Sequence, residues 1–198
     1  MIPLGMRYNF NSVIIKEKFK YHTDISKDLL QLINKATNKK IINKNQYYND
    51  SLKTDWLIAD DFNRDWVKNY KNYFFKQFED FSNSLGYQGF NLTRIWYQQY
   101  EHKQTHGWHI HSGNYTGAYY LKLPKDAPST EFLYPDNLEK SFTIDVQEGD
   151  IIFFPAYFIH RSPESKSKSV KTIISWNINF ENILEFYIHN RDKIDVYG

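Results

Sequence analysis

The stretch DIIFFPAYFIH, residues 150–160, is a short run of β-branched and aromatic residues that follows an acidic-glycine turn and ends on a histidine. Runs of this kind between turn residues are strand signals. Five more lie around it: FNLTRIWYQQY at 90–100, YTGAYYLKL at 115–123, TEFLYP at 130–135, SFTIDV at 141–146 and KTIISWNINF at 171–180. Gly, Pro, Asp and Ser clusters separate them. Six such segments so close together predict an antiparallel sandwich or barrel.

Upstream the period changes. Residues 24–36, DISKDLLQLINKA, place Ile25, Leu29, Leu32 and Ile33 on one helical face, with Asp24 or Ser26 as cap. A longer helix is expected over about 60–85. There Phe62, Trp66, Tyr70, Phe74 and Phe78 recur every four residues, Phe81 and Leu85 extend the stripe, and Gly86 supplies the stop. Aromatics at that spacing form a packing face, so this helix is expected to buttress the sheet. Residues 37–56 read as a polar, basic loop, and Met1 to about Ile15 as one or two strands. The expected organisation is one domain: 1–86 helical buttress and N-terminal strands, 87–180 the β core, 181–198 a C-terminal extension.

Composition narrows the function. A chain of 198 residues can fill one core. Its 41% hydrophobic and 18% aromatic content excludes a disordered chain. A net charge of +2 argues for neither a nucleic-acid nor a membrane partner. Cysteine is absent, so any metal must be held by His, Asp, Glu or backbone oxygen. The N-terminus lacks the pattern of a signal peptide, and no apolar run reaches the roughly 18 residues of a membrane span. A cytoplasmic protein is expected.

The chemistry concentrates in HGWHIH, residues 106–111, which holds three of the 7 histidines. On a strand, positions i and i+2 project from one face, so His109 and His111 can reach one metal ion. His160 ends a distant apolar run and can supply a third ligand, which makes a facial triad with open positions on one side. An open side is what a catalytic metal needs. His106 lies three residues back, beyond Gly107, where regular strand geometry must break. Without a metal, these are polar strand residues and His160 merely opens a turn.

The surrounding pattern resembles the iron(II)/2-oxoglutarate-dependent dioxygenases, in their prolyl-hydroxylase-like branch, as a 2OG-Fe(II) oxygenase with an HxH motif. The residues that carry the resemblance are the His-x-His pair, the tyrosine-rich YTGAYYLKLP, the acidic-glycine turn before a strand ending in His160, and RSPESKSKSVKTIISWN. They span roughly 94–180. The resemblance implies a mainly β (α+β) double-stranded β-helix, jelly-roll or cupin-like, with N-terminal helices on its outer face. It implies Fe(II) held by His109, His111 and His160, with 2-oxoglutarate and O2 as cosubstrates. Hydroxylation of a small-molecule or peptide substrate would accompany decarboxylation of 2-oxoglutarate to succinate.

Lys171, eleven residues after His160, falls where the family binds the distal carboxylate of 2-oxoglutarate, with Arg161 as its competitor. A dicarboxylate in a closed pocket needs its remote charge neutralised, whatever the family. Along KTIISWNIN, Lys171, Ile173, Ser175 and Asn177 share a face. Tyr120 and Tyr100 match tyrosines that contact the cosubstrate, and Trp96, Trp108 and Trp176 are candidates to shield the reaction.

The departure is His111, where the family expects Asp or Glu. Three arrangements follow: a working three-His iron centre, a site that recruits a carboxylate or keeps an open position, or a zinc site. The alternative functions are a three-His metal enzyme that does not use 2-oxoglutarate (a cupin-type dioxygenase or a zinc hydrolase) and a non-catalytic jelly-roll binding module. Only the 2-oxoglutarate reading gives Lys171 a task.

Overall fold

A computed structural model describes residues 12–36 and 52–183. The expected strands before residue 12, most of the basic loop and the tail from 184 lie outside the described residues. The chain forms two antiparallel sheets. The larger runs β1 (Ile15–Lys18), β8 (Asp150–Pro155), β5 (Tyr115–Lys122), β10 (Lys171–Ile183), β3 (Tyr87–Tyr100) and β2 (Lys53–Thr54), in that order. The smaller runs β4 (His106–His109), β9 (His160–Ser162), β6 (Glu131–Tyr134) and β7 (Asn137–Thr143). The fold is the expected mainly β double-stranded β-helix.

Strand alternation sorts the side chains into two cores. From the larger sheet Tyr119, Leu121, Ile151, Phe153, Ile174 and Trp176 point outward to the helices. Ala118, Tyr120, Ile152, Phe154 and Ile173 point inward, between the sheets. Helices α1 (His22–Lys35) and α2 (Asp65–Ser84) cover the outer face as expected. Helix α1 buries Ile25, Leu29 and Ile33, and α2 buries Trp66, Phe74, Phe78 and Phe81. Each fully buried aromatic of that stripe contributes about 1.5–3 kcal/mol.

Several boundaries move, each for a local reason. Helix α1 starts at His22 without a side-chain cap, leaving Asp24 in the first turn, where its charge suits the positive end of the helix. Helix α2 starts at Asp65 because residues 61–64 fold back on themselves: Asn63 N–H donates to Asp61 Oδ1 and Arg64 Nε to Asp61 O. Phe62 therefore packs on the core from outside the helix. The run DIIFFPAYFIH becomes two strands, because a turn closed by Phe158 N–H on Pro155 O sends β8 and β9 into different sheets. Val146 leaves its expected strand for a loop and still packs inside.

Two features position the interior. Gly117 lies where a Cβ would strike Ile152 O and the Trp176 ring, so the indole can lie close over β5 only there. Asp55 ties the loop before α2 to the sheet: it accepts from Tyr97 N–H and Trp66 Nε1–H and pairs with buried Arg64, which also donates to the carbonyls of Ala59 and Ile95. No helix among the described residues is long and apolar enough to cross a membrane.

Candidate metal centre

His109 closes β4, and His111 follows after the chain leaves the strand, anchored by its backbone N–H on Ala156 O. His160 opens β9 directly opposite His109. Potential ligand nitrogens of the three lie within 4.8 Å of one another, with His160 buried and the others half-buried. Among the described residues no carboxylate joins the cluster.

The backbone and one amide determine what each ring offers. His109 Nδ1 lies 2.7 Å from Gly107 O, and His160 Nδ1 lies 2.8 Å from Phe158 O. Both nitrogens must carry a proton to donate to carbonyls. His111 Nδ1 donates to Asn177 Oδ1 at 3.0 Å, while that amide's Nδ2 donates to Ser112 Oγ. All three Nε2 atoms are thereby left with lone pairs. The Nε2 atoms of His111 and His160 are 3.2 Å apart. Two lone pairs facing each other repel, but two ligands of a metal bound at about 2.1 Å sit about 3.0–3.4 Å apart. The donor set fits a divalent cation such as Fe(II) or Zn(II), and the hydrogen bonds behind it orient the ligands.

Electrostatics agree. Burial pushes the His109 and His160 rings down, His160 to well below the usual histidine range, and pushes His111 down to about 3. Neutral imidazoles are the form a metal binds. Trp96 stacks on His111 with ring centres 5.5 Å apart. Trp108 is half-exposed and Trp176 lies in the helix-side core, so of the three tryptophans only Trp96 touches the cluster.

The cavity beside the triad is lined by Gln98, Tyr100, His106, Thr130, Ser162 and Ser175, among others, and has a volume of about 20 Å³. Lys171 is buried at its edge. Its Nζ donates to Ser162 Oγ at 2.7 Å and Pro128 O at 3.0 Å and sits 4.4 Å over the Tyr100 ring. No carboxylate pairs with it among the described residues, and burial pulls its ammonium down to about 7. Arg161 also lines the cavity, but its charge is paired: Nε donates to Glu131 at 2.6 Å and the guanidinium stacks on Trp108. Tyr120 is fully buried, with its hydroxyl shared with Thr130 at 2.8 Å. Tyr100 donates to Gln98 Oε1. Residues sharing the Lys171 face behave as the spacing implies: Ser175 lines the cavity and Asn177 holds His111.

Sequence reasoning missed Asn177 as the partner of His111, and it left Ser162 and Gln98 unremarked. Position alone signals the first, because Asn177 is three periods of two beyond Lys171.

Comparison with known proteins agrees with this geometry. Residues 94–177 match a protein family described as "Putative 2OG-Fe(II) oxygenase". A search of curated proteins gives no significant match. In structure the chain is similar to a viral collagen prolyl hydroxylase from Paramecium Bursaria Chlorella virus-1, solved as a 2OG complex. That match has 19% identity and a TM-score of 0.57, over 83% of this chain and 94% of the other. It is similar to a prolyl hydroxylase from Trichoplax adhaerens in complex with a hypoxia inducible factor peptide fragment, at 16% identity and TM-score 0.58, over 82% of each chain. A 2OG-Fe(II) oxygenase family oxidoreductase from Burkholderia pseudomallei aligns with TM-score 0.65 at 10% identity, over 86% of this chain and 87% of the other. The resemblance to 2OG-Fe(II) oxygenases, a family of enzymes that use Fe(II), 2-oxoglutarate and O2, is borne out over residues 94–177 and in the shared fold.

Proposed function

We propose that the chain is a cytoplasmic Fe(II)- and 2-oxoglutarate-dependent hydroxylase, with His109, His111 and His160 holding the iron and Lys171 binding the distal carboxylate of 2-oxoglutarate. The observation that carries it is a convergent triad of Nε2 lone pairs beside a buried ammonium that no acidic residue neutralises among the described residues. A dicarboxylate supplies both missing partners, a chelating end for the metal and a counter-charge for Lys171.

Bound iron and cosubstrate supply the oxidising chemistry: O2 decarboxylates 2-oxoglutarate to succinate and CO2 and delivers its other oxygen atom to a substrate C–H bond. This chain's residues do the rest. Gly107 O, Phe158 O and Asn177 Oδ1 hold the triad in the ligating tautomer. Lys171 neutralises the buried charge as a point charge, with Tyr100 beneath it and Ser162 fixing its direction. Tyr120 acts through Thr130, whose position it fixes. Arg161 lines the cavity with its charge already paired to Glu131, which leaves Lys171 as the better anchor. A cavity of about 20 Å³ admits a dicarboxylate only as its side chains part.

His111 in place of a carboxylate makes the metal site one charge more positive, and an anionic chelate offsets this. A zinc hydrolase or a three-His dioxygenase without 2-oxoglutarate leaves Lys171 without a role. Anaerobic titration of the Fe(II)-loaded protein with 2-oxoglutarate tests the choice. The expected result is the weak visible charge-transfer band of the chelate; iron bound without any band on saturation with cosubstrate sinks the proposal.

A further inference from the structure

The chemistry between the sheets leaves a groove on the outer side unexplained, where α2 lies along the start of β3. It has a volume of about 480 Å³ and is lined by Phe62, Lys71, Phe75, Glu79, strand residues 88–92 and Glu181. Its floor is aromatic. Phe62 and Phe90 are half-buried, Phe75 is 38% exposed, and the Phe75 and Phe90 rings meet edge to face at 5.6 Å. Exposed apolar surface rimmed by charge marks an interaction site.

The strand beside it is open as well. β2 pairs with β3 only at Gln98 and Gln99, and further back Ile95 N–H donates to Ala59 O. From Gln88 to Leu92, the edge of β3 that faces away from β10 has no strand partner among the described residues. Soluble proteins blunt such edges with lysine, proline or a bulge. The run QGFNL, residues 88–92, carries neither charge nor proline.

The charges along α2 indicate what fits. Lys71, Phe75 and Glu79 follow at four-residue steps and form one stripe. Lys71 and Glu79 are about 12 Å apart along the helix axis, too far to pair with each other. Neither they nor Glu181 form an ion pair among the described residues. Because α2 turns back at Gly86 straight into β3, Lys71 lies towards Leu92 and Glu79 towards Gln88. Glu181, opposite Gly89, adds to the acidic end.

A two-fold axis through Phe75 and Phe90 sets Lys71 against the partner's Glu79 and Glu79 against the partner's Lys71. The same axis lays residues 88–92 antiparallel to their own copy, with Gln88 opposite the partner's Leu92. An isologous interface requires this self-complementarity. An unrelated partner would need a matching acid–apolar–base stripe, which a second copy of this chain already carries. We infer that this groove is a homodimer interface, in which the α2 stripes pack antiparallel around Phe75 and the β3 edges join the two six-stranded sheets. The metal cavity lies on the opposite face of that sheet and takes no part in the contact.

Sedimentation equilibrium of the full chain between about 1 and 200 µM tests this. The expected result is a reversible dimer of twice 23.9 kDa, with the micromolar Kd of a small interface. Lys71→Glu and Glu79→Lys should each weaken it about tenfold or more, because each reversal turns two attractions into two repulsions. An equimolar mixture of the two variants should return to within about threefold of wild-type affinity, since one copy then supplies acid wherever the other supplies base. Phe75→Asp should abolish the dimer. Unchanged near-UV circular dichroism shows that each variant is folded. A wild type that stays monomeric at the highest concentration overturns the inference, whether another protein or residues of this chain fill the groove. So does a dimer insensitive to both reversals, which places the contact elsewhere. A mixture no tighter than the single variants breaks the two-fold register and overturns it too.

Discussion

Replacing Lys171 with methionine separates what this residue costs the fold from what it gives the site. Its ammonium is fully buried, and burial alone pulls it from an ordinary 10.5 to about 7. That gap corresponds to about 5 kcal/mol of stability lost at neutral pH, where the unfolded chain keeps the proton. The hydrogen bonds to Ser162 Oγ and Pro128 O stand against that figure, because methionine leaves both oxygens without their donor. A net gain of about 2 kcal/mol is therefore expected for Lys171→Met, an increase of about 4–8 °C in Tm for a chain of this size. The same change removes the counter-charge proposed for a buried carboxylate, which should cost about 3–5 kcal/mol, or at least a hundredfold in 2-oxoglutarate affinity. Calorimetric melting of the apoprotein reads the first quantity and anaerobic titration of the Fe(II) form reads the second. The pH dependence is an internal control. The folded-state value lies below the unfolded one, so wild-type stability should climb as pH rises from about 7 towards 10.5, and Lys171→Met should lose that slope. A variant that melts lower than wild type and binds 2-oxoglutarate unchanged would refute the reasoning.

Three further outcomes follow from the same structure. Cosubstrate binding should take up a proton above about pH 7, because the bound carboxylate needs Lys171 charged; affinity should fall about tenfold per pH unit there, and titration heats should vary with buffer ionisation enthalpy. A pH-independent affinity between 7 and 9 would exclude Lys171 as the anchor. Gly117→Ala should destabilise by about 3 kcal/mol in chemical denaturation, since the new methyl meets Ile152 O and the Trp176 ring, and a loss under about 1 kcal/mol would show that β5 yields there. Asp55→Asn should cost about 3 kcal/mol by leaving Arg64 charged and buried, while Zn(II) affinity stays near wild type because the pair lies outside the metal cavity; a variant as stable as wild type would deny the pair its structural role.

Much of the architecture was legible because periodicity is local. Phe74, Phe78 and Phe81 share a helical stripe wherever the helix docks, and alternation sends Tyr119 and Tyr120 to opposite faces of any sheet. The histidine cluster was legible in part: His109, His111 and a distant His160 do converge, although His111 lies past the end of β4 and is held by Ala156 O rather than by strand alternation. Ends of elements were less legible. The start of α2 depends on the turn within 61–64 and on Arg64 reaching the carbonyls of Ala59 and Ile95, and the split of 150–160 depends on a turn that only the two-sheet layout requires.

By itself, then, the sequence determined a β core with a helical cover, a cysteine-free cluster of three histidines, and a lysine on the face that continues to Asn177. The tertiary structure decided which cation has a carboxylate partner: Arg161 and Lys171 are both basic in sequence, but β6 brings Glu131 to Arg161, while no carboxylate among the described residues pairs with Lys171. It also decided the direction of the imidazole protons around the cavity. Gly107 O, Phe158 O and Asn177 each fix one ring, and Asn177 comes from a distant strand. A spacing of three reads as outward for His106, yet pairing with β9 inserts a bulge that turns it in. Parity along one strand is local chemistry; a bulge, a counter-ion and a tautomer are properties of the neighbouring strand, and they exist only once the sheets have formed.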